Sequence, residues 1–440
     1  MIKQWTVDSW RTYPISQQPR WEKEVHYQNV INELKRLPSL VFSGETRKLI
    51  QEISQCNRFI LQVGNCAEMF DDCNGPKIHN FIKIFLQMSM IIEHETKKSV
   101  IKIGRIAGQY AKPRSNDYEE VGGRKLPCYR GDIVNCSIPT QEKRRPNPSN
   151  MKEAYFRSAA TLNLIRAFMQ GGYSDISNWN DWNKHFFNEE ISDYEYYKSF
   201  IKELSQSINS GISKINTFTF DKIYTSHEAL LLDYEEAFTR IDTTYGGFYD
   251  TSAHFLWIGD RTRNIKGAHI EFVRGIGNPI GIKVGPTLVI EELISIIKTI
   301  NPNNLPGKIV LIIRMGKSKI KILLRPFLKA IVENNLNVSI ISDPMHGNTY
   351  SHNSIKVRAF DDIVNELRSF FIICHEENVI PAGVHLEMTS DNVTECIGGL
   401  SGLRHEDLSN NYMSKVDPRL NAAQALELAF IISELINSSK

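Results

Sequence analysis

The chain has 440 residues, of which 52 are basic and 50 acidic, so its formal net charge is only +2. This balance argues against a nucleic-acid or polyanion binder. No stretch approaches the roughly 18 apolar residues of a membrane span, and we expect no membrane partner. The first residues, MIKQWTVDSWRTYP, lack the apolar core of a signal peptide, and the seven cysteines include no C-x-x-C pair. These features predict reduced thiols and a cytoplasmic protein.

Eight short apolar runs, rich in β-branched residues, follow one another along the chain. Amphipathic helical stretches separate most of them, and each run ends at a residue that can take part in chemistry. This pattern predicts an α/β fold, a (β/α)8 TIM barrel with its active site at the C-terminal ends of the strands. The runs are FILQVGN before Cys66, SVIKIG before Arg105, KIYTS before His227, HFLWIG before Asp260 and Arg261, PIGI before Lys283, IVLII before Arg314, NVSIIS before Asp343 and His346, and VHL before Glu387.

The chain is longer than a bare barrel of about 250 residues, so the sequence predicts additions to it. Residues 1–57 form a predicted N-terminal extension that packs across the barrel bottom or onto a partner subunit, with a surface arm as the alternative. The barrel domain is predicted over 58–440, with a helical insertion at 173–220 between strands two and three. Aromatic residues in the insertion suggest either a subunit interface or a satellite core. Helices are predicted at about 27–36, 77–97, 151–170, 191–209, 228–240, 287–300, 318–334, 360–377 and 421–437.

Four residues of metal-binding type occur near the ends of predicted strands one, seven and eight and in the loop before the last helix. They are Cys66, His346, Glu387 and Asp417. Because these strands are neighbours in a closed barrel, the four side chains can converge. A thiolate, an imidazole and two carboxylates suit Mn²⁺, Fe²⁺, Co²⁺ or Zn²⁺ better than Mg²⁺ or Ca²⁺. Taken singly, Cys66 also fits a small buried apolar residue, and Asp417 before Pro418 a helix-entry residue.

Several cations are predicted to surround the same barrel mouth. Such a ring implies a ligand with several negative charges, most simply a phosphate plus a carboxylate, since the planar Arg fork matches both groups. No GxGxxG fingerprint occurs at a strand-to-helix turn, which argues against a dinucleotide. Asp260, Asp343 and the pair His227-Glu228 are candidate proton-transfer groups, although the pair also fits a helix cap. The cations are Arg105, Lys112, Arg114, Arg261, Lys283 and Arg314.

Collinear strings across nearly the whole chain resemble one family, the type II 3-deoxy-D-arabino-heptulosonate 7-phosphate (DAHP) synthases. They include CAE (66–68), GRIAGQYAKPRS (104–115), YRGDIVN (129–135), RSAATLNLIRAF (157–168), YTSHEALLLDYE (224–235), SAHFLWIGDRTR (252–263), GNPIGIKVGPT (277–287), DPMHGNT (343–349), AGVHLEMT (382–389) and DPRLNAAQALELAF (417–430).

The resemblance implies a condensation of phosphoenolpyruvate with erythrose 4-phosphate that opens the shikimate pathway and the synthesis of aromatic amino acids. It implies a divalent metal, with Mn²⁺ as the first choice and Co²⁺, Fe²⁺ or Zn²⁺ as alternatives, and self-association into a homodimer or homotetramer. Carried over by position, the metal ligands are Cys66, His346, Glu387 and Asp417. Phosphoenolpyruvate contacts Arg105, Asp260, Arg261, Lys283 and Arg314, and erythrose 4-phosphate contacts Lys112, Pro113, Arg114 and Ser115.

Three residues depart from the family pattern. Val63 stands where glycine is usual, Asn65 where aspartate is usual, and Asp260 where glutamate is usual. They motivate an alternative hypothesis, in which the protein is a secondary-metabolism paralogue that makes the same product or an amino-substituted analogue for an antibiotic or pigment pathway. A third hypothesis is that the protein is a non-catalytic regulatory paralogue. The presence of every predicted metal ligand and cation argues against it.

Overall fold

A computed structural model describes residues 4–21, 24–172, 202 and 222–438. Eight parallel strands close into a barrel in which each strand pairs with the next along the chain and the last pairs with the first. The predicted (β/α)8 barrel is therefore confirmed, and each strand overlaps its predicted apolar run. The strands are β1 Arg58–Gly64, β2 Ser99–Arg105, β3 Tyr224–Glu228, β4 Phe255–Ile258, β5 Ile280–Val284, β6 Ile309–Ile313, β7 Ser339–Ser342 and β8 Pro381–Glu387.

Helices cover the outside of the barrel and most agree with the predicted ranges. The helix expected at 228–240 begins only at Leu232, because β3 continues to Glu228. The helix expected at 191–209, like the insertion at 173–220, lies outside the described residues apart from position 202. Among the described helices, none combines the length and the apolar composition that crossing a membrane requires. The helices are α1 Glu24–Leu34, α2 Ser43–Ile53, α3 Gly75–Thr96, α4 Ser149–Gln170, α5 Leu232–Phe238, α6 Ala268–Val273, α7 Ile290–Ile300, α8 Ile320–Glu333, α9 Phe360–Glu376 and α10 Ala422–Ser438.

Side chains of β1 alternate between the two faces of the barrel wall. Phe59, Leu61 and Val63 belong to the apolar cluster formed with the surrounding helices, whereas Ile60 belongs to the cluster inside the barrel. Successive residues of a strand point to opposite faces, so the run FILQVG supplies both layers at once. Gln62, which also faces inward, donates to Ser226 Oγ at 3.1 Å. A polar layer therefore lies between the apolar interior and the C-terminal mouth.

The helix α2 packs across the N-terminal end of the barrel. Leu49 and Ile53 join the interior apolar cluster, and Tyr224 Oη donates to Glu52 Oε1 at 3.1 Å. A Cβ on Gly307, which precedes β6, would lie 2.2 Å from the carbonyl oxygen of Ile50, so this approach requires glycine. Burial of Leu49 and Ile53 explains why part of the N-terminal extension is ordered against the barrel. The domain boundary at 57/58 stays a prediction.

Candidate active site

The C-terminal ends of the strands surround a cavity of about 540 Å³. Active sites of (β/α)8 barrels lie at this end. Glu387 is completely buried and does not line the cavity itself. It contacts His346, a cavity residue, with His346 Nε2 3.1 Å from Glu387 Oε1. The other residues predicted to bind the metal or the two substrates line the cavity directly, namely Cys66, Arg105, Lys112, Pro113, Arg114, Ser115, Asp260, Arg261, Lys283, Arg314, His346 and Asp417. Of the further candidate proton-transfer groups, Glu228 lines the cavity, whereas His227 and Asp343 do not.

Four side chains with metal-binding atoms meet on one side of the cavity. One donor atom from each of Cys66, His346, Glu387 and Asp417 lies within 4.8 Å of the other three. Cys66 follows β1 and Glu387 ends β8, and these two strands are paired. The loop that contains Asp417 is fixed to the same place, because Leu420 N donates to Glu387 O at 3.0 Å. Neighbouring strand ends and one anchored loop therefore assemble the cluster.

Neighbouring cations keep the two carboxylates of this cluster ionised. Lys112 Nζ lies 2.6 Å from Asp417 Oδ2, and Arg358 Nη1 lies 2.7 Å from Glu387 Oε2. Burial by itself would raise the pKa of Asp417, but the charges of Lys112, Arg358 and Lys356 together outweigh it, and the pKa lies well below its usual range. Against the same effect of burial, His346 and Arg358 hold the pKa of Glu387 well below its usual range.

The chemistry of the donor set fits a first-row divalent cation. Burial and the charge of Glu387 raise the pKa of the Cys66 thiol, so Cys66 keeps its proton until a cation displaces it. His346 Nδ1 lies 2.8 Å from Asp343 Oδ2, which leaves Nε2 directed at the cluster. A sulfur, an imidazole nitrogen and two carboxylate oxygens form the mixed set that such ions prefer.

A hairpin of Tyr350–His352 and Ile355–Ala359 adds two cations that the sequence did not indicate. Lys356 lines the cavity, and its Nζ lies 2.6 Å from Asp417 Oδ1. Arg358 is completely buried and also donates to Thr349 Oγ1 at 2.8 Å. Neither cation follows a barrel strand, so a search of strand ends could not have found them.

The cations form two groups. The first group has one residue at the C-terminal end of each of four strands, and its members are Arg105, Arg261, Lys283 and Arg314. Arg105 ends β2, and its Nη2 donates to Cys66 O at 3.1 Å and to Glu387 Oε1 at 3.0 Å. Lys283 on β5 lies with its Nζ 2.6 Å from Asp343 Oδ2. Burial lowers the pKa of Lys283 to about 8, although the charge of Asp343 opposes this effect. These two cations are held by internal carboxylates.

Arg261 and Arg314 have fewer partners and complete this group. Arg261 Nη2 donates to Ser115 Oγ at 2.8 Å. Arg314 Nη1 lies 3.4 Å from Asp260 Oδ2, while its buried Nε has no hydrogen-bond partner among the described residues. Asp260 Oδ1 also accepts a bond from Arg263 Nε at 3.1 Å. A buried guanidinium donor without a partner at a cavity wall is available to an anionic ligand.

The second group lies on the loop after β2. Lys112, Pro113, Arg114 and Ser115 line one end of the cavity. Arg114 Nη2 donates to Glu119 Oε2 at 2.5 Å, so a carboxylate on the hairpin of Tyr118–Val121 and Arg124–Pro127 holds the guanidinium. Two cations and a hydroxyl within four residues are groups that can bind a phosphate.

Glu68 gives this loop its shape and was missed as a site residue by sequence reasoning. Its carboxylate accepts three successive backbone N–H groups, from Ala107 at 3.0 Å, Gly108 at 2.9 Å and Gln109 at 2.8 Å. Burial raises the pKa of Glu68 to about 7 against these bonds. A Cβ on Gly108, whose φ is +155°, would lie 2.6 Å from His227 Nδ1, so glycine is required there. The only signal in the sequence was its place in the string CAE.

Glu228 is the buried carboxyl group of the cavity wall. It is the last residue of β3, and its Oε1 has no hydrogen-bond partner among the described residues. A Cβ on Gly259 would lie 2.2 Å from this oxygen, so position 259 must be glycine to leave room for the Glu228 carboxylate. Burial raises the pKa of Glu228, and the charges of Lys112 and Lys283 oppose that effect. The neighbouring His227 does not line the cavity and instead faces Glu235, with Nε2 3.1 Å from Oε1.

The three departures from the family pattern occupy different places. Val63 is buried in the apolar cluster outside the barrel. Asn65 also faces away from the main cavity, and its Oδ1 accepts a bond from Arg419 Nη1 at 2.8 Å. Only Asp260 lines the main cavity. A change in ligand choice through direct contact can therefore come only from Asp260 among these three.

Comparison with known proteins agrees with the resemblance found in the sequence. The model of the class-II DAHP synthetase family matches residues 5–433. A phospho-2-dehydro-3-deoxyheptonate aldolase of Streptomyces coelicolor is 41% identical over 97% of this chain and 96% of its own length. Proteins of the same name from Neurospora crassa and Mycolicibacterium smegmatis are 40% and 38% identical, each over 98% of this chain and 94% of their own length. The chain belongs to the class-II DAHP synthetase family.

Proposed function

We propose that the protein condenses phosphoenolpyruvate with D-erythrose 4-phosphate to give 3-deoxy-D-arabino-heptulosonate 7-phosphate and inorganic phosphate, the first step of the shikimate pathway. One observation supports this most: a four-residue donor cluster and two separate groups of cations share one cavity. The reaction needs this combination, because two phosphorylated anions that repel each other must be held together beside an electrophilic activator.

Phosphoenolpyruvate would bind at the first group of cations. Arg105, Arg261, Lys283 and Arg314 offer planar forks and an ammonium group for one phosphate and one carboxylate. Asp260 faces Arg314 and orients its guanidinium. The internal bonds of Arg105 and Lys283 fix two of the cations before substrate arrives, which is the arrangement expected for electrostatic preorganisation.

Erythrose 4-phosphate would place its phosphate on Lys112, Arg114 and Ser115, with Pro113 restricting the turn between them. Its aldehyde end would then face Cys66, His346, Glu387 and Asp417, which would hold the divalent metal. Bound there, the metal supplies a Lewis acid that polarises the aldehyde oxygen. Mn²⁺ is the ion we propose, with Co²⁺, Fe²⁺ and Zn²⁺ as alternatives.

Glu228 would receive the proton that the reaction releases from water. The electron pair of the phosphoenolpyruvate double bond forms the new bond to the aldehyde carbon, the aldehyde oxygen takes up a proton from solvent and becomes a hydroxyl, and positive charge develops at the carbon that bears the phosphate. Water adds to that carbon and gives one proton to Glu228. The carbon–oxygen bond to phosphate then breaks, and the second proton of the added water leaves as the keto group forms. A buried carboxylate with an unpaired oxygen at the cavity wall suits this role, because its proton affinity is increased by burial.

Self-association into a dimer or tetramer and a cytoplasmic location are part of the same proposal, on the basis of the family. Light scattering at micromolar concentration tests the first, and a monomer would contradict it.

Incubation of the metal-loaded protein with both substrates, followed by mass spectrometry and a phosphate assay, tests the reaction. We expect a seven-carbon keto-acid phosphate together with one equivalent of phosphate. Absence of this product would contradict the proposal. Product formed only with an amino-substituted sugar phosphate would instead support the secondary-metabolism alternative.

A further inference from the structure

The N-terminal segment runs along the outside of the barrel towards the active-site mouth. Trp5 Nε1 donates to the carbonyl oxygen of Glu271 on α6 at 3.0 Å, and Trp10 Nε1 donates to Glu236 Oε2 on α5 at 3.0 Å. Further on, the carbonyl oxygen of Pro14 accepts the N–H of Ala268 at 2.9 Å. These three hydrogen bonds place residues 14–18 beside the loops at the mouth. We call residues 14–18 the N-terminal strap.

Two consecutive residues of the strap contact the two anion-binding groups. Gln17 Oε1 accepts the backbone N–H of Arg114 at 2.8 Å, and Ser16 Oγ donates to the carbonyl oxygen of Arg261 at 3.4 Å. The two loops also contact each other, because Arg261 Nη2 donates to Ser115 Oγ. The strap, the loop after β2 (the β2 loop) and the loop after β4 (the β4 loop) are therefore each hydrogen-bonded to the other two beside the cavity.

The backbone of the strap is held in a costly conformation at this contact. Gln17 has φ +64°, in the left-handed region that a residue with a Cβ avoids. Its neighbour Gln18 donates from Nε2 to the carbonyl oxygen of Leu230 at 2.7 Å, which fixes the strap on the far side of Gln17. Strain of this kind persists only where the surrounding contacts impose it, and it is concentrated at functional sites.

We infer that Gln17 is a positioning residue for the phosphate site formed by Lys112, Arg114 and Ser115. This inference rests on the proposed function, since that site is the one assigned to erythrose 4-phosphate. The side-chain carbonyl of Gln17 fixes the amide of Arg114, and this sets the distance between the β2 loop and Arg261. Without it the loop samples orientations in which the aldose phosphate lies away from the reacting carbon, while the phosphoenolpyruvate contacts stay in place.

Gln17→Met tests this role, because Met has a similar size and the same φ requirement but no acceptor oxygen. We expect KM for erythrose 4-phosphate to rise by about three- to tenfold, the effect of one lost hydrogen bond. KM for phosphoenolpyruvate and kcat should stay within about twofold of wild type. Hydrogen exchange should become faster in the peptide that contains Arg114. Gln28→Met, on the exposed face of α1, is the matched control and should change none of these quantities.

The outcomes separate this inference from the proposed function. If wild-type protein forms no seven-carbon product, the proposed function is overturned and the inference with it. If wild type forms the product and Gln17→Met equals it in both KM for erythrose 4-phosphate and exchange at Arg114, the inference alone is overturned. Equal losses in both KM values and in kcat would show general damage and would also contradict a positioning role.

Discussion

Asp343 connects the proposed metal-binding cluster with the proposed phosphoenolpyruvate site through one buried carboxylate. It accepts bonds from Lys283 Nζ at 2.6 Å and from His346 Nδ1 at 2.8 Å, and its side chain is fully inaccessible. Burial would raise the pKa of Asp343, but His346 and Lys283 hold it well below its usual range. Asp343→Asn keeps the shape and removes the charge, so it should weaken both sites at once.

The magnitude follows from the two contacts. Losing the carboxylate that orients a metal-binding imidazole costs about 10- to 100-fold in metal affinity, or about 1.4–2.7 kcal/mol. For Lys283, removing the partner of a buried charge would cost about 3–5 kcal/mol if the ammonium stayed charged. The pKa of Lys283 is already lowered to about 8 in the presence of Asp343, and loss of that charge lowers it further. Lys283 therefore becomes largely neutral at neutral pH and no longer attracts phosphoenolpyruvate.

Two measurements check this prediction. Calorimetric titration of metal-free Asp343→Asn with Mn²⁺ should give a Kd about 10- to 100-fold higher than wild type, and KM for phosphoenolpyruvate should rise in the same variant. Asp362→Asn, which removes a carboxylate paired with the exposed Lys317, is the control and should leave both values unchanged. A wild-type Mn²⁺ Kd and a wild-type KM in folded Asp343→Asn would refute the reasoning.

Four further outcomes are expected. Metal-stripped protein should be inactive and should recover when Mn²⁺ is added, whereas His346→Ala should not recover; full activity of either the stripped protein or the variant would rule out the assigned metal role. Because Lys283 binds anions only when protonated and its pKa is about 8, kcat/KM for phosphoenolpyruvate should fall as pH rises above that value, and a flat profile would argue against it. Glu228→Gln should lower kcat by about 10²- to 10⁴-fold with little change in either KM, and a kcat near wild type would exclude it as the proton acceptor. Leu49→Ala, at a completely buried site, should lower the free energy of unfolding by about 2–5 kcal/mol in urea titration. The control Ile322→Ala, at a position that is 74% exposed, should change it by no more than about 0.5 kcal/mol. Equal losses of unfolding free energy in the two variants would show that α2 does not pack against the N-terminal end of the barrel.

The elements that sequence reasoning missed or misplaced have separate physical causes. α2 begins soon after Pro38, and its sequence SGETRKLIQEI has only Leu49, Ile50 and Ile53 as large apolar residues, too few to indicate a buried helix. α6 has six residues, too few to show a helical period. The start of α5 was placed too early because Ser226-His227-Glu228 fits a helix entry as well as a strand end. Glu228 pairs with Trp257 on β4, which shows that it belongs to the strand β3 and not to the helix.

The sequence by itself determined the barrel and placed the candidate site residues at its mouth. Parallel strands in a closed barrel bring their C-terminal ends to one mouth whatever the helices between them contain, so Cys66, His346 and Glu387 could be placed together from strand order alone. Only the tertiary structure identified Glu68 and Gln17 as supports of the β2 loop and gave Glu228 its unpaired oxygen in the cavity wall. These roles depend on which backbone amide or side chain packs against each residue across the fold, and no periodicity in the sequence encodes that contact.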